Sequence, residues 1–223
     1  FIENSIKSYN NLCNVISDSR LAGLIDWEAI EDRTRNLSAL QTWWSPKEIL
    51  EQDAKVFKYD FWEKQPVYIE VWVEKEALAG VIERSAYKWR CPWFACRGYS
   101  SQSETWRAGV RFLNMGKPVK VIHLGDHDPS GIDMTRDNDE RLAMFSEGDD
   151  VEVIRIALNM PQVEQYNPPP NPAKFQDPRA ADYIRKFGNE SWELDALDPK
   201  VIDTLISEEI EQYIDREYWE EDK

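Results

Sequence analysis

Between residues 67 and 158 short apolar runs alternate with amphipathic ones, and no other feature restricts the fold of this chain so strongly. "VYIEVWV" (67–73), "PWFAC" (92–96), "VKVIHL" (119–124) and "VEVIRIAL" (151–158) are rich in β-branched and aromatic residues and read as strands. The intervening "KEALAGVIERSAYKW" (75–89), "SETWRAGVRFL" (103–113) and "GIDMTRDNDERLAMF" (131–145) read as helices, the last stopped near Gly148. Leu78, Val81, Ile82 and Ala86 share one side of the first, and Ser103 is the expected cap of the second. Strictly alternating strands and helices predict an α/β fold, a four-stranded, mostly parallel, Rossmann-like sheet with helices on both faces. Its crossovers are expected to be right-handed.

The flanks read as helical. Leu12, Val15, Ile16, Leu21, Leu24 and Ile25 recur near a 3.6-residue period, and Asp26 suits the cap of a short helix starting at Trp27. Ser45 and Pro46 open a helix through "KEILEQDAKVFK". The prolines of "YNPPPNP" (166–172) favour an extended connector. Beyond it, "DPRAADYIRKFG" is a predicted helix ending at Gly188. "PKVIDTLISEEIEQYIDREYWEE" (199–221) is expected to be one long helix, with Val201, Leu205, Ile206, Ile210, Tyr213 and Ile214 as its apolar stripe. Three regions result: a helical region 1–65, an α/β domain 66–160, and a connector with a C-terminal helical extension, 161–223. The chain opens on Phe1 without a signal-peptide pattern, and is expected to begin inside a longer one.

Two predicted strands end in acids. "VWVEKEAL" leaves its strand at Glu74, and "VIHLGDHDPSG" leaves its strand at Asp126 and Asp128. In a parallel sheet these ends lie on one rim, where ligands bind. On extended backbone Asp126 and Asp128 point to the same side and His127 away. Three converging carboxylates repel one another, so either one stays protonated or a hard cation neutralises them. Oxygen-only ligation suits Mg²⁺ or Mn²⁺, with open positions for a substrate phosphate. The chain's two histidines, His123 and His127, are too few for a His-rich cage. Cys13, Cys91 and Cys96 lack zinc-site spacing and suit a reducing, cytoplasmic setting. No apolar run is long enough to span a membrane.

The net charge of −15 argues against nucleic acid, but its distribution does not. From Arg84 to Lys120 eight basic residues stand against Glu104 alone, a local net of +7 between the two acidic motifs. From Asp203 to Lys223 nine acids face Arg216 and Lys223. The basic run favours a polyanionic substrate, with arginine forks on its phosphates. Lys75, Arg97, Arg107 and Arg111 are the expected contacts.

These motifs, in this order, resemble a Toprim domain. The resemblance is closest to that of the topoisomerase VI A subunit and the related meiotic double-strand-break transesterase. "VWVEKEAL" resembles the family's strand-glutamate motif, "CRGYSSQSETWRAGVRFL" the segment after its second strand, and "GDHDPSGIDM" its aspartate motif. "SWELDALDP" resembles a sequence after the core, so the likeness covers about residues 67–200. It implies Mg²⁺-dependent cleavage or rejoining of DNA phosphodiesters. Glu74 would be metal ligand and general acid or base, and Asp126 and Asp128 metal ligands. Residues 1–40 would then be the remnant of a winged helix, in which Tyr9 is the nearest tyrosine but lacks the expected arginine-flanked setting. A homodimer or a partner subunit is also expected. Glu76 and Asp133 suit either a second metal or the helix dipole. Glu193 and Asp195 read as a surface helix start rather than site residues. Two other functions remain open: a non-catalytic metal- and nucleic-acid-binding module, and a DxD-type phosphate-ester or sugar-nucleotide enzyme.

Overall fold

The computed structural model describes residues 5–26, 29–30, 42–57, 59–147, 150–173 and 177–221. The helix expected from Trp27 and the stop at Gly148 lie outside these. The chain forms two compact units, Phe1–Phe57 and Lys58–Lys223. The first contains α1 (Ile6–Leu21) and α2 (Pro46–Val56). Each starts at a serine that caps it: Ser5 accepts from the Ser8 amide at 3.2 Å, and Ser45 accepts from the Glu48 amide at 3.3 Å.

The second unit is built on β1 (Tyr68–Val73), α3 (Ala79–Lys88), β2 (Trp93–Ala95), α4 (Gln102–Leu113), β3 (Val119–Leu124), α5 (Pro129–Phe145) and β4 (Val151–Ala157). The four strands are all parallel, in the order β2-β1-β3-β4. Side chains alternate between two cores. Ile69, Val71, Val73, Ile122 and Leu124 meet Ile82 of α3 on one face. Trp72, Val119 and Val121 meet Ala108 and Phe112 of α4 and Leu142 of α5 on the other. β1 and β3 pair from Tyr68 with Val119 to Val73 with Leu124. A slip of β1 by one residue would turn its three fully buried aliphatics, Ile69, Val71 and Val73, to the wrong face, at about 1.5–3 kcal/mol each, so the register is strongly fixed. α4 is capped by Ser101, not by Ser103: Ser101 Oγ accepts from the Glu104 amide, and the helix begins two residues earlier. α4 and α5 touch at Gly109, where a Cβ would stand 2.3 Å from Phe145 Cβ.

The rest of the chain folds back on this sheet: α6 (Met160–Tyr166), β5 (Asn171–Pro172), α7 (Ala180–Phe187), β6 (Glu190–Ser191), α8 (Pro199–Glu211) and α9 (Arg216–Glu221). β5 and β6 pair antiparallel, so the proline-rich connector is partly ordered by a short ladder. α8 buries Ile202, Ile206 and Ile210 in the same core as α3. The long helix expected over 199–221 is two helices. Gln65 breaks it by binding the backbone of Asp215 twice: its Oε1 accepts from the Asp215 amide at 2.7 Å and its Nε2 donates to the carbonyl at 3.2 Å. The turn lets α9 place Trp219 against Phe61, Trp62 and Trp89. Among the described residues no helix is long and apolar enough to cross a membrane.

Candidate active site

In the order β2-β1-β3-β4 the chain turns one way from β1 to β2 and the other way from β3 to β4. The crevice beyond the carboxyl ends of β1 and β3 is therefore the sheet's topological switch point. Glu74 is the first residue past β1, and its amide donates to the Leu124 carbonyl at 2.9 Å. Its carboxylate crosses to the β3 side, where Oε2 accepts from the Asp126 amide at 2.9 Å. Glycines make room for that crossing. A Cβ on Gly125 would lie 2.9 Å from Glu74 Oε2, and one on Gly131 would lie 3.0 Å from it and 2.2 Å from the Asp126 carbonyl oxygen.

Asp126 and Asp128 are both buried, and each is held by its own backbone partner. The alternation of β3 ends at Leu124, and beyond Gly125 His127 leaves the sheet to form an antiparallel bridge with Trp192. Asp126 Oδ1 accepts from the Leu194 amide at 2.8 Å, while Oδ2 lies 3.1 Å from Lys75 Nζ. Asp128 caps α5, accepting from the Gly131 amide at 2.6 Å and from the Ser130 hydroxyl at 2.9 Å. Among the described residues no three His, Cys, Asp or Glu side chains form a ready-made metal cage. What gathers is Glu74 against the Asp126 loop, with the charges of Asp126 and Asp128 close enough to act on it.

Burial, then Asp126 and then Asp128 push the Glu74 carboxyl up to about 7, against the Asp126 amide and Arg155, which favour its charge. Burial also raises Asp126, although the Leu194 amide and Lys75 oppose it. For Lys75 burial works against the ammonium, but Glu193, Asp126 and Asp195 outweigh it and its pKa rises. Burial holds His127 neutral, at about 4, with Nδ1 2.8 Å from the Tyr183 hydroxyl.

Two parts of the site escaped the sequence reading. Arg155 on β4 is the first. Its guanidinium donates to the carbonyls of Gly125 (3.0 Å), Asp126 (2.6 Å), Gly131 (3.0 Å) and Leu158 (3.1 Å), and to Thr135 Oγ1 (3.0 Å). Desolvation lowers its pKa to about 10. It ties together the whole loop that carries Asp126 and Asp128. An arginine inside "VEVIRIAL" was the available signal, since a charge between apolar strand residues needs a buried reason. The second is the segment around Leu194. Glu193 Oε2 and Asp195 Oδ1 stand 2.8 and 3.4 Å from Lys75 Nζ, so both acids belong to the rim of the site rather than to a remote surface helix.

The expected phosphate contacts divide. Lys75 is at the carboxylates. Arg97 pairs with Glu76, and Arg107 pairs with Glu104 on its own helix; both arginines are well exposed. Arg111 instead forks Glu70, at 2.9 and 3.0 Å. Glu70 is buried inside β1 and also accepts from Tyr68 (3.0 Å) and Trp72 (2.9 Å), so Arg111 is tied to a buried carboxylate while its own side chain stays 41% exposed. Nor is the basic run one surface, because α3, with Arg84 and Lys88, and α4, with Arg107 and Arg111, pack on opposite faces of the sheet. Arg111→Ala is expected to lower the unfolding free energy by about 2 kcal/mol, below the full cost of breaking a buried pair because Tyr68 and Trp72 still bind Glu70. Urea unfolding of the variant at neutral pH checks this.

Asp133 is engaged with the Tyr99 hydroxyl at 2.6 Å and with Arg136 and Arg179, while Glu76 is engaged with Arg97. A cavity of about 650 Å³ lies away from the carboxylates, at the start of β2, lined by Tyr59, Phe61, Tyr87, Arg90 and Trp93. The donor set at the switch point fits a hard divalent cation. Its oxygens come from buried carboxylates, and burial together with the charges of Asp126 and Asp128 disfavours the ionised Glu74 when no cation is there. Glu74 and Asp126, with Asp128 adjoining, are the residues that would hold Mg²⁺ or Mn²⁺. The chain matches no protein-family model and no curated protein.

Proposed function

We propose that the protein is a Toprim-type, Mg²⁺-dependent enzyme that cleaves or rejoins DNA phosphodiesters, in the manner of a topoisomerase or nuclease. The observation that carries this reading is the meeting of Glu74 with the Asp126 loop at the switch point, in surroundings that raise Glu74 to about 7. A bound Mg²⁺ would supply charge stabilisation on the scissile phosphate. The chain's own residues do the rest. Glu74, poised near neutrality, holds or releases a proton at its carboxylate beside the attacking or leaving oxygen. Asp126 and Asp128 carry the negative charge that retains the cation, and Arg155 fixes the loop that presents them. Arg97 and Arg107 are held by exposed ion pairs that contribute little, so each can exchange its carboxylate for a strand phosphate.

Incubation with supercoiled plasmid and Mg²⁺ tests the reading. Nicking or linearisation that EDTA and Asp126→Ala both remove is the expected result. DNA binding without cleavage would favour a binding module. Turnover of a small phosphate ester without DNA affinity would favour a DxD-type enzyme. A covalent protein–DNA adduct would assign transesterification rather than hydrolysis.

A further inference from the structure

Building on the proposed metal site, we infer that the Lys75 ammonium is its resident counter-ion, which a divalent cation must displace from Asp126 in order to bind. Both carboxylate oxygens of Asp126 are engaged, Oδ1 by the Leu194 amide at 2.8 Å and Oδ2 by Lys75 at 3.1 Å. Each oxygen has a second lone pair, so the amide on Oδ1 can stay, but a divalent cation on Oδ2 meets the like charge of the ammonium already there. The Leu194 amide is the fixed partner. Its side chain is fully buried, and the chain two residues earlier is tied down by the reciprocal His127–Trp192 bonds of 2.8 and 3.0 Å. Lys75 is the movable one, an ammonium on a flexible four-carbon stem whose side chain is a quarter exposed.

Lys75 also has somewhere to go. Its other partners, Glu193 at 2.8 Å and Asp195 at 3.4 Å, are themselves 49% and 41% exposed. The ammonium therefore swings outward without losing its counter-charges, and no unpaired charge is left inside. In the metal-free protein the same lysine relieves the repulsion between Asp126 and Glu74. Exchange of one cation for the other would thus keep the carboxylates neutralised in both states, and would set the Mg²⁺ affinity below that of the bare carboxylates. Lys75 is a positioning residue in this account.

Calorimetric titration of the full chain with Mg²⁺ tests this, using wild type, Lys75→Met, Lys75→Arg and Asp126→Asn. Lys75→Met is expected to bind Mg²⁺ about tenfold more tightly than wild type, the scale of one close charge at a partly screened site. Lys75→Arg is expected to restore affinity close to the wild-type value, and Asp126→Asn to lose binding. Unfolding curves give a second readout: the metal-free Lys75→Met protein is less stable than wild type, and saturating Mg²⁺ closes the gap. A lysine with only a structural role would leave affinity unchanged or weaken it on removal. Should Lys75→Met not fold, Lys75→Gln is scored by the same criterion. If wild type binds Mg²⁺ and the lysine variants bind it no better, the counter-ion role is overturned and the metal site stands. If no protein binds Mg²⁺, both fall.

Discussion

Glu74→Gln is expected to cut Mg²⁺-dependent strand cleavage by about a thousandfold or more, and yet to stabilise the metal-free protein at alkaline pH. The first effect follows from removing a charged ligand and a proton carrier at once. The second follows from linkage. The folded-state pKa of Glu74 is about 7, against 4.5 for the ordinary group, because burial and its neighbours Asp126 and Asp128 disfavour its charge. Between those values the folded protein keeps a proton that the unfolded chain has lost, so wild-type stability falls as pH rises through the window. Well above pH 7 the whole cost is present, on the order of 3 kcal/mol. Glutamine keeps an oxygen for the Asp126 amide and has no such cost. Variant and wild type should therefore unfold alike near pH 4 and diverge steadily toward pH 8. His123 and His127, held neutral at about 3 and about 4, weaken both proteins as pH falls, and the comparison cancels that contribution. Urea unfolding of both metal-free proteins across this range is the measurement; parallel curves would show that Glu74 ionises as an ordinary carboxyl.

Arg155→Met is expected to destabilise the protein by about 3–5 kcal/mol, the range for removing one member of a buried charged network. For a unit of this size that corresponds to a fall in Tm of roughly 10 °C or more. Methionine fills much of the volume, so the loss comes from polarity. Four backbone carbonyls and the Thr135 hydroxyl lose a donor, and at Gly125, Asp126 and Gly131 those carbonyls shape the loop that meets Glu74. Arg155→Lys is expected to recover less than half of the stability, because three donors on one nitrogen do not span five acceptors. Metal affinity should fall with stability in both variants, since the carboxylate loop loosens. Thermal unfolding with and without Mg²⁺ checks this, and a Tm within 2 °C of wild type would show that the network contributes little.

The strands were legible in the sequence to within a residue or two because β-branched and aromatic runs mark them locally, as in Tyr68–Val73 and Val119–Leu124. Their order was not legible. It depends on where α3 and α4 pack, and that packing also splits the basic run between two faces. The break between α8 and α9 was equally hidden, since Gln65 makes it from 150 residues away. At the site, Glu74 and Asp126 follow from strand ends at one rim, which periodicity reveals. The capping of α5 by Asp128 does not, because the strand ends at Leu124 and extended alternation no longer applies. Arg111 shows the limit of charge counting: the partner that engages it, Glu70, lies inside a strand that otherwise reads as apolar.

The central claim is that one divalent cation is held where β1 and β3 end, by Glu74 and the Asp126 loop. Anomalous diffraction from crystals soaked in Mn²⁺ tests it most directly. The expected result is a single strong peak per chain touching the carboxylates of Glu74 and Asp126, with Lys75 turned out toward Glu193 and Asp195. A peak elsewhere in the chain, or none at this rim with Lys75 still on Asp126, would contradict it.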